Sequence, residues 1–172
     1  MVRTAMIGLT LVGATLGGCE HPPQLRETAA CDGVPEVKLT GRVTDAANIL
    51  DVTQEANLTS QLANYEQETR HQMVIATVPS LNGAEVANVG WCLGNRWKIG
   101  RKDLNDGIVI VMAPNERRMA ISTGLGMEEE LTDAEARQVI QKMTPLFKSG
   151  DYAGGLELGI SAVASETGGG AK

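Results

Sequence analysis

The side chains able to do chemistry are few and widely spaced in this sequence. Cys92 falls in a predicted helix with no histidine near it, and a thiol needs a base or another activating neighbour to serve as a nucleophile. There is no G-x-S-x-G elbow, no aspartate pair in D-x-D-x-T and no cysteine loop ending in arginine, so the common nucleophilic and phosphatase chemistries have no local signature. Zinc would want about four nitrogen or sulfur ligands. Beyond the cysteines the chain offers only His21 and His71, at no ligand spacing. Asp103, with Asn105 in the third place, opens like an EF-hand loop, but the fifth, sixth and twelfth places fall on Gly107, Ile108 and Pro114, which that loop cannot use. Gly124-Leu125-Gly126 invites comparison with a phosphate loop. No lysine follows it, and Glu128-Glu129-Glu130 puts negative charge where a helix dipole favours it and phosphate would be repelled. Arg96, Arg101 and Lys102 could meet a phosphate, but read better as a solvated basic patch.

The elements that must position these groups are legible from periodicity. Asp51 with Gln54 predicts a capped helix that buries Leu58, Leu62 and Tyr65. Met73 to Val78 is a continuous β-branched run, expected of a strand covered on both faces. Val86, Val89, Leu93 and Trp97 return to helical spacing. A second covered strand, Ile108 to Met112, leads through Pro114-Asn115-Glu116 into an antiparallel neighbour at Met119 to Thr123. Thr132-Asp133-Ala134-Glu135 fits the capping box of a helix burying Val139, Ile140 and Met143, with Pro145 expected to interfere. Asp151 starts a last helix with Leu156, Ile160 and Val163 inward. Covered strands alternating with amphipathic helices predict an α/β fold, a single three-layer α/β/α sandwich with a mixed central sheet.

The first residues, MVRTAMIGLTLVGATLGGC, place Arg3 ahead of an uncharged apolar run from Ala5 to Leu16, as a secretory signal does. That run is short of the about 20 residues a bilayer span needs. Leu16-Gly17-Gly18-Cys19 resembles the lipobox of bacterial lipoproteins, so Cys19 is expected to carry palmitate-type acyl chains. Nothing after it is long and apolar enough to span, which leaves lipid as the expected anchor. Residues 1–18 are thus read as a signal peptide, 19–40 as a lipidated tether rich in proline, 41–165 as one domain and 166–172 as a flexible glycine tail. The expected location is the cell envelope, outside the cytoplasm, on the periplasmic face where there is one. Loss of Arg3 with the signal takes the formal charge from −6 to −7, poorly suited to tracking phosphates, so nucleic acid is not an expected partner. With Cys19 acylated, Cys31 and Cys92 remain, either as one disulfide of an oxidising compartment or as two free thiols.

Taken in order, Gly41-Arg42-Val43-Thr44-Asp45, Trp97-Lys98-Ile99-Gly100, Asn105 through Val111, Arg118 to Asp133 and Phe147 to Tyr152 resemble the TPM domain family over residues 41 to about 165. The resemblance implies an α/β/α sandwich outside the cytoplasm, usually attached to a membrane, in a functionally mixed family. Some members resemble a thylakoid-lumen acid phosphatase, others a photosystem repair factor or an accessory protein of membrane receptors.

The resemblance also implies calcium, or another divalent cation, at an acidic edge. The family's acidic positions fall on Asp45, Asn105, Asp106 and Glu128, expected in loops beyond the carboxyl ends of strands, where open α/β sheets hold ligands. Calcium takes about 6 to 8 oxygens, so three or four such side chains with water suffice. Alternatively Asp45 and Asp106 hold turns by local hydrogen bonds. The expected function is a membrane-anchored domain that binds a divalent cation and engages a membrane or envelope protein complex. The alternative is a metal-dependent acid phosphatase acting on small phosphoesters or phosphoproteins, with the metal polarising phosphate and Asp106 orienting water.

Stable anchoring needs two acyl chains. Cys19→Ser is therefore expected to leave a folded protein that partitions away from membranes; a mutant retained on membranes after a salt wash would defeat the lipoprotein reading.

Overall fold

The computed structural model describes residues 31–168. Cys19 and the signal segment lie outside the described residues. In chain order the elements are β1 (Val43–Asp45), α1 (Val52–Thr69), β2 (Gln72–Thr77), α2 (Val86–Trp97), β3 (Gly107–Ala113), β4 (Arg118–Thr123), α3 (Asp133–Lys148) and α4 (Tyr152–Glu166), with one 3-10 turn at Leu125–Met127. The strands form one sheet in the order β1-β2-β3-β4, parallel across the first three and antiparallel between β3 and β4. The mixed sheet and three layers expected from periodicity are thus the observed architecture.

Side chains of the middle strands alternate between two apolar cores. Met73, Ile75, Ile108 and Ile110 face α1, α3 and α4, meeting Leu58, Leu62, Met143 and Leu156. Val74, Ala76, Val109 and Val111 face α2, meeting Val89, Cys92 and Leu93. Every residue of β3 is buried, so the continuous apolar run in the sequence is a strand covered on both faces rather than a helix. Burying each such side chain is worth about 1.5–3 kcal/mol. The strands step the same way twice, from β1 to β2 and from β2 to β3, yet α1 and α2 lie on opposite faces. One of these two crossovers is therefore left-handed, against a strong preference for right-handed connections.

Both predicted capping boxes form. The Asp51 carboxylate accepts from the Thr53 and Gln54 N–H groups at 2.8 and 2.9 Å while Gln54 accepts from the Asp51 N–H at 2.9 Å. Thr132 and Glu135 reciprocate in the same way, satisfying N–H groups the first turn cannot. Pro145, expected to interrupt α3, does not: the helix runs on to Lys148. The proline sits in the last turn, where it removes one N–H donor, and the end closes as the Ser149 N–H donates to the Pro145 and Leu146 carbonyls at 3.2 and 3.1 Å.

Residues flanking the expected domain also pack on it. Residues 31–38, assigned to the tether, are strapped to α2. Cys31 and Cys92 form a disulfide with Cα atoms 5.8 Å apart, and Val34 joins the α2 core. The Trp97 indole donates to the Val37 carbonyl at 3.1 Å, and Arg96 donates to the Cys31 and Pro35 carbonyls. At the other end, Thr167, assigned to the flexible tail, is buried and its hydroxyl meets the Tyr65 hydroxyl at 2.8 Å.

A disulfide spanning 61 residues constrains the unfolded chain strongly, and losing one typically costs about 2–5 kcal/mol. Cys31→Ala, which leaves Cys92 as a buried thiol, is expected to lower unfolding free energy in that range in urea. An unchanged midpoint would show that the strap adds nothing to stability.

Candidate functional site

The concentration of buried charge lies at the amino end of β3. Asp106, immediately before that strand, has only 2% of its surface exposed, and a buried carboxylate must be paired and hydrogen-bonded. One oxygen accepts from the Arg101 backbone N–H at 2.7 Å. The other accepts from Arg101 Nε at 2.6 Å, from Arg101 Nη2, and faces His71 Nδ1 at 3.1 Å. His71 stands at the entry to β2, and its Nε2 lies 3.3 Å from the Glu130 carboxylate. Burial pushes the Asp106 carboxyl up, but the side-chain and backbone bonds from Arg101, the His71 contact and the Arg101 charge together hold it below its ordinary value. Tyr65 is raised, first by burial, against the bonds from Thr167 and Thr69; the charges of Glu130 and Asp106 add to the rise.

Glycines let the surrounding loops close on this point. Gly100, at φ +94°, crosses so near Gly107 that a Cβ would collide with the Gly107 backbone. Gly124 and Gly126 press against the carbonyls of Asn105 and Leu104, where a Cβ would also collide, and the Gly126 N–H donates to the Asn105 carbonyl at 3.0 Å. The Gly124-Leu125-Gly126 segment is a packing surface for the 101–105 loop. Asn105 takes a left-handed conformation, φ +49°, as asparagine tolerates well.

The residues expected to share one cation are divided. Asn105 and Asp106 are adjacent, and Glu128 follows the 3-10 turn that packs on them, its side chain exposed. Asp45 is elsewhere: it pairs across the sheet with Thr77, at the far end of β2 from Gln72, which is level with Gly107. At about 3.3 Å per residue, the Asp45 level is about 20 Å along the strands from Asp106. Asp45 accepts from the Leu50 N–H at 2.9 Å and from the Thr77 hydroxyl, the turn-holding role weighed as its alternative. The expectation that all these groups lie beyond carboxyl ends of strands is corrected for Asn105 and Asp106, which precede β3. Among the described residues no three Asp, Glu, His or Cys side chains group so as to hold a metal ion.

Nothing in the sequence marks His71 and Arg101 as partners of Asp106, or Glu130 as the partner of His71. Their contacts cross 35 residues to His71 and a further loop to Glu130, with no periodic signal; only Arg101, five residues before Asp106, is local. Among the described residues no hydroxyl or thiol bonds the His71 ring, which stands between the Asp106 and Glu130 carboxylates. Two clefts lie at the other end of the sheet. One, of about 350 Å³, includes Asp45, Glu55 and Thr44; the larger, of about 530 Å³, lies between the β3–β4 turn and the junction of α3 with α4.

A family model described as the TPM domain matches residues 43–166. The fold is similar to the N-terminal domain of a P. gingivalis protein, with 30% identity and a TM-score of 0.69 over 76% of this chain and 83% of that one. It is also similar to the N-terminal domain of a Corynebacterium glutamicum protein, with 18% identity and a TM-score of 0.59 over 80% and 88% of the two chains. A protein of the psychrophilic bacterium Bizionia argentinensis, at 16% identity and a TM-score of 0.57 over 68% and 83%, shares the fold as well. No curated protein matches significantly in sequence.

Because the Asp106 carboxyl is lowered in the folded state, it contributes stability that is present above the unfolded value of about 4 and is lost as pH falls through the lowered folded value. Arg101→Met removes its side-chain bonds and charge, so acid unfolding followed by circular dichroism is expected to move to higher pH. A midpoint that stays in place would show that Arg101 does not hold this carboxylate.

Proposed function

The chain belongs to the TPM domain family, and from that membership we propose a lipid-tethered domain of the cell envelope that docks on a membrane or envelope protein through the edge around Asp106 and takes a divalent cation there. The observation that carries the docking reading is the exposure of two leucines on loops that are bonded to each other. Leu104 is 50% exposed and Leu125 is 75% exposed, and the Gly126–Asn105 bond holds their loops together. Apolar anchors rimmed by charge are what protein interfaces use, and Glu128, Glu129 and Glu130 supply that rim. Export is supported by the Cys31–Cys92 disulfide, since such bonds persist in oxidising compartments.

The donors at this edge fit a cation, calcium or another divalent ion, only with Arg101 withdrawn, because Arg101 and His71 already occupy both oxygens of Asp106. The Arg101 side chain is about half exposed, so on giving up its bonds to Asp106 it turns into solvent. The cation set is then Asn105, Asp106 and Glu128, without Asp45, and binding proceeds as an exchange of one positive charge for another. Metal-dependent hydrolysis of phosphoesters would draw on the same exchange, with the freed guanidinium available to phosphate.

Competition of this kind has a signature. In calorimetry on the full chain, Arg101→Gln is expected to bind calcium about tenfold more tightly than the parent, the scale of one charge-assisted contact no longer displaced. Asp106→Asn is expected to bind more weakly than the parent. No heat at millimolar calcium in Arg101→Gln would remove the cation from the proposal. Separately, Leu104→Ser with Leu125→Ser is expected to abolish cross-linking to envelope proteins without lowering the melting temperature; cross-links that persist would place the docking face elsewhere.

A further inference from the structure

We propose that the cleft at the carboxyl end of β3 binds a small amphipathic anion, an acidic oxyanion group carried on an aromatic or otherwise apolar body. The cleft, of about 530 Å³, falls within the 300–1,000 Å³ typical of small-molecule sites. It also lies beyond the carboxyl end of a parallel strand, where open α/β sheets receive ligands. It is separate from the Asp106 edge, which sits at the opposite end of β3.

Its walls are of two kinds. Met112 and Met119 face each other across the β3–β4 ladder and line the cleft with Phe147 and Tyr152, whose ring centroids are 6.2 Å apart and tilted by 32°. The chain has a single phenylalanine and two tyrosines, so two of these three rings stand at one cleft, where methionine adapts to irregular apolar shapes. The rim carries Arg117, Arg118 and Lys148. Arg118 reaches Glu85 at 3.5 Å, while neither Arg117 nor Lys148 has a carboxylate partner among the described residues. The acids beside them in sequence are already engaged: Glu116 accepts from the Ser80 hydroxyl and the Leu81 N–H, and Asp151 accepts from the Gly154 N–H at the start of α4. In a chain of net charge −6, this is a local concentration of uncommitted positive charge set against an apolar floor. Exposed cations alone bind small anions weakly because water and salt screen them. The floor supplies the burial that selects an apolar body, and the rim supplies the sign.

The test uses the full chain with methyl-labelled methionine, in the presence of zwitterionic nanodiscs, titrated with 3-phenylpropionate. The Met112 and Met119 methyl signals are expected to shift and saturate, while Met73 and Met127, fully buried and not part of the cleft, stay in place. Acetate, which has the charge without the body, and 3-phenylpropanol, which has the body without the charge, are each expected to bind about tenfold or more weakly. Arg117→Gln with Lys148→Gln is expected to lose the acid's advantage over the alcohol while leaving the free Met73 and Met127 signals unchanged. Nanodiscs doped with phosphatidic acid report the source: shifts of Met112 and Met119 without added ligand mean that a lipid headgroup delivers the anion, and shifts only with free acid mean a soluble one. The proposal is overturned if neither methyl responds at millimolar acid, if the alcohol binds as well as the acid, or if the double variant binds like the parent.

Discussion

A carboxylate sealed from water at the entrance to the central strand has to be supplied with donors, and each donor given to Asp106 fixes another segment. The Arg101 N–H closes the 101–106 loop, and the Arg101 side chain folds back over it. His71 ties in the entry to β2, where the next residue, Gln72, accepts from the Gly100 N–H at 2.8 Å. Through His71 the segment before α3 is held by Glu130. Removing one donor leaves the charge desolvated without compensation, which for a buried group costs about 1–3 kcal/mol or more. The network ties together the entry to β2, the loop before β3 and the segment before α3.

The two ends of the parallel strands are therefore built differently. At the amino end, backbones meet at glycine contacts and ion pairs fill the space between them. At the carboxyl end, the β3–β4 turn and the α3–α4 junction stand apart and leave clefts lined by side chains. The sheet is thus tied at one end and bordered by clefts at the other.

Much of this fold could be read before any coordinates. Leu58, Leu62 and Tyr65 recur at helical spacing and are buried together; Ile108 to Met112 is continuous and covered on both faces; the two capping boxes are local patterns with local consequences. What the sequence hides is what depends on strand order. Asp45 and Asp106 each look like acidic residues beside a strand, and only the parallel register sends one to each end of the sheet. His71 and Glu130 gain their meaning from contacts across folded distance. The left-handed crossover leaves no trace in composition or period, since handedness belongs to the path and not to the residues on it. Pro145 misled because proline is costly in mid-helix and far less so in a final turn.

The Cys31–Cys92 disulfide also decides how the domain would bear load. With lipid on Cys19, as proposed, any tug on the membrane side enters the described fold at Cys31, and there it meets a covalent branch into α2. Force then runs through a helix packed across the sheet, bypassing β1, whose three residues form the edge of that sheet and would peel one hydrogen bond at a time. With such an anchor the cross-link would act as a strain relief at the end of a cable, shielding the short edge strand from a pull that arrives at Cys31.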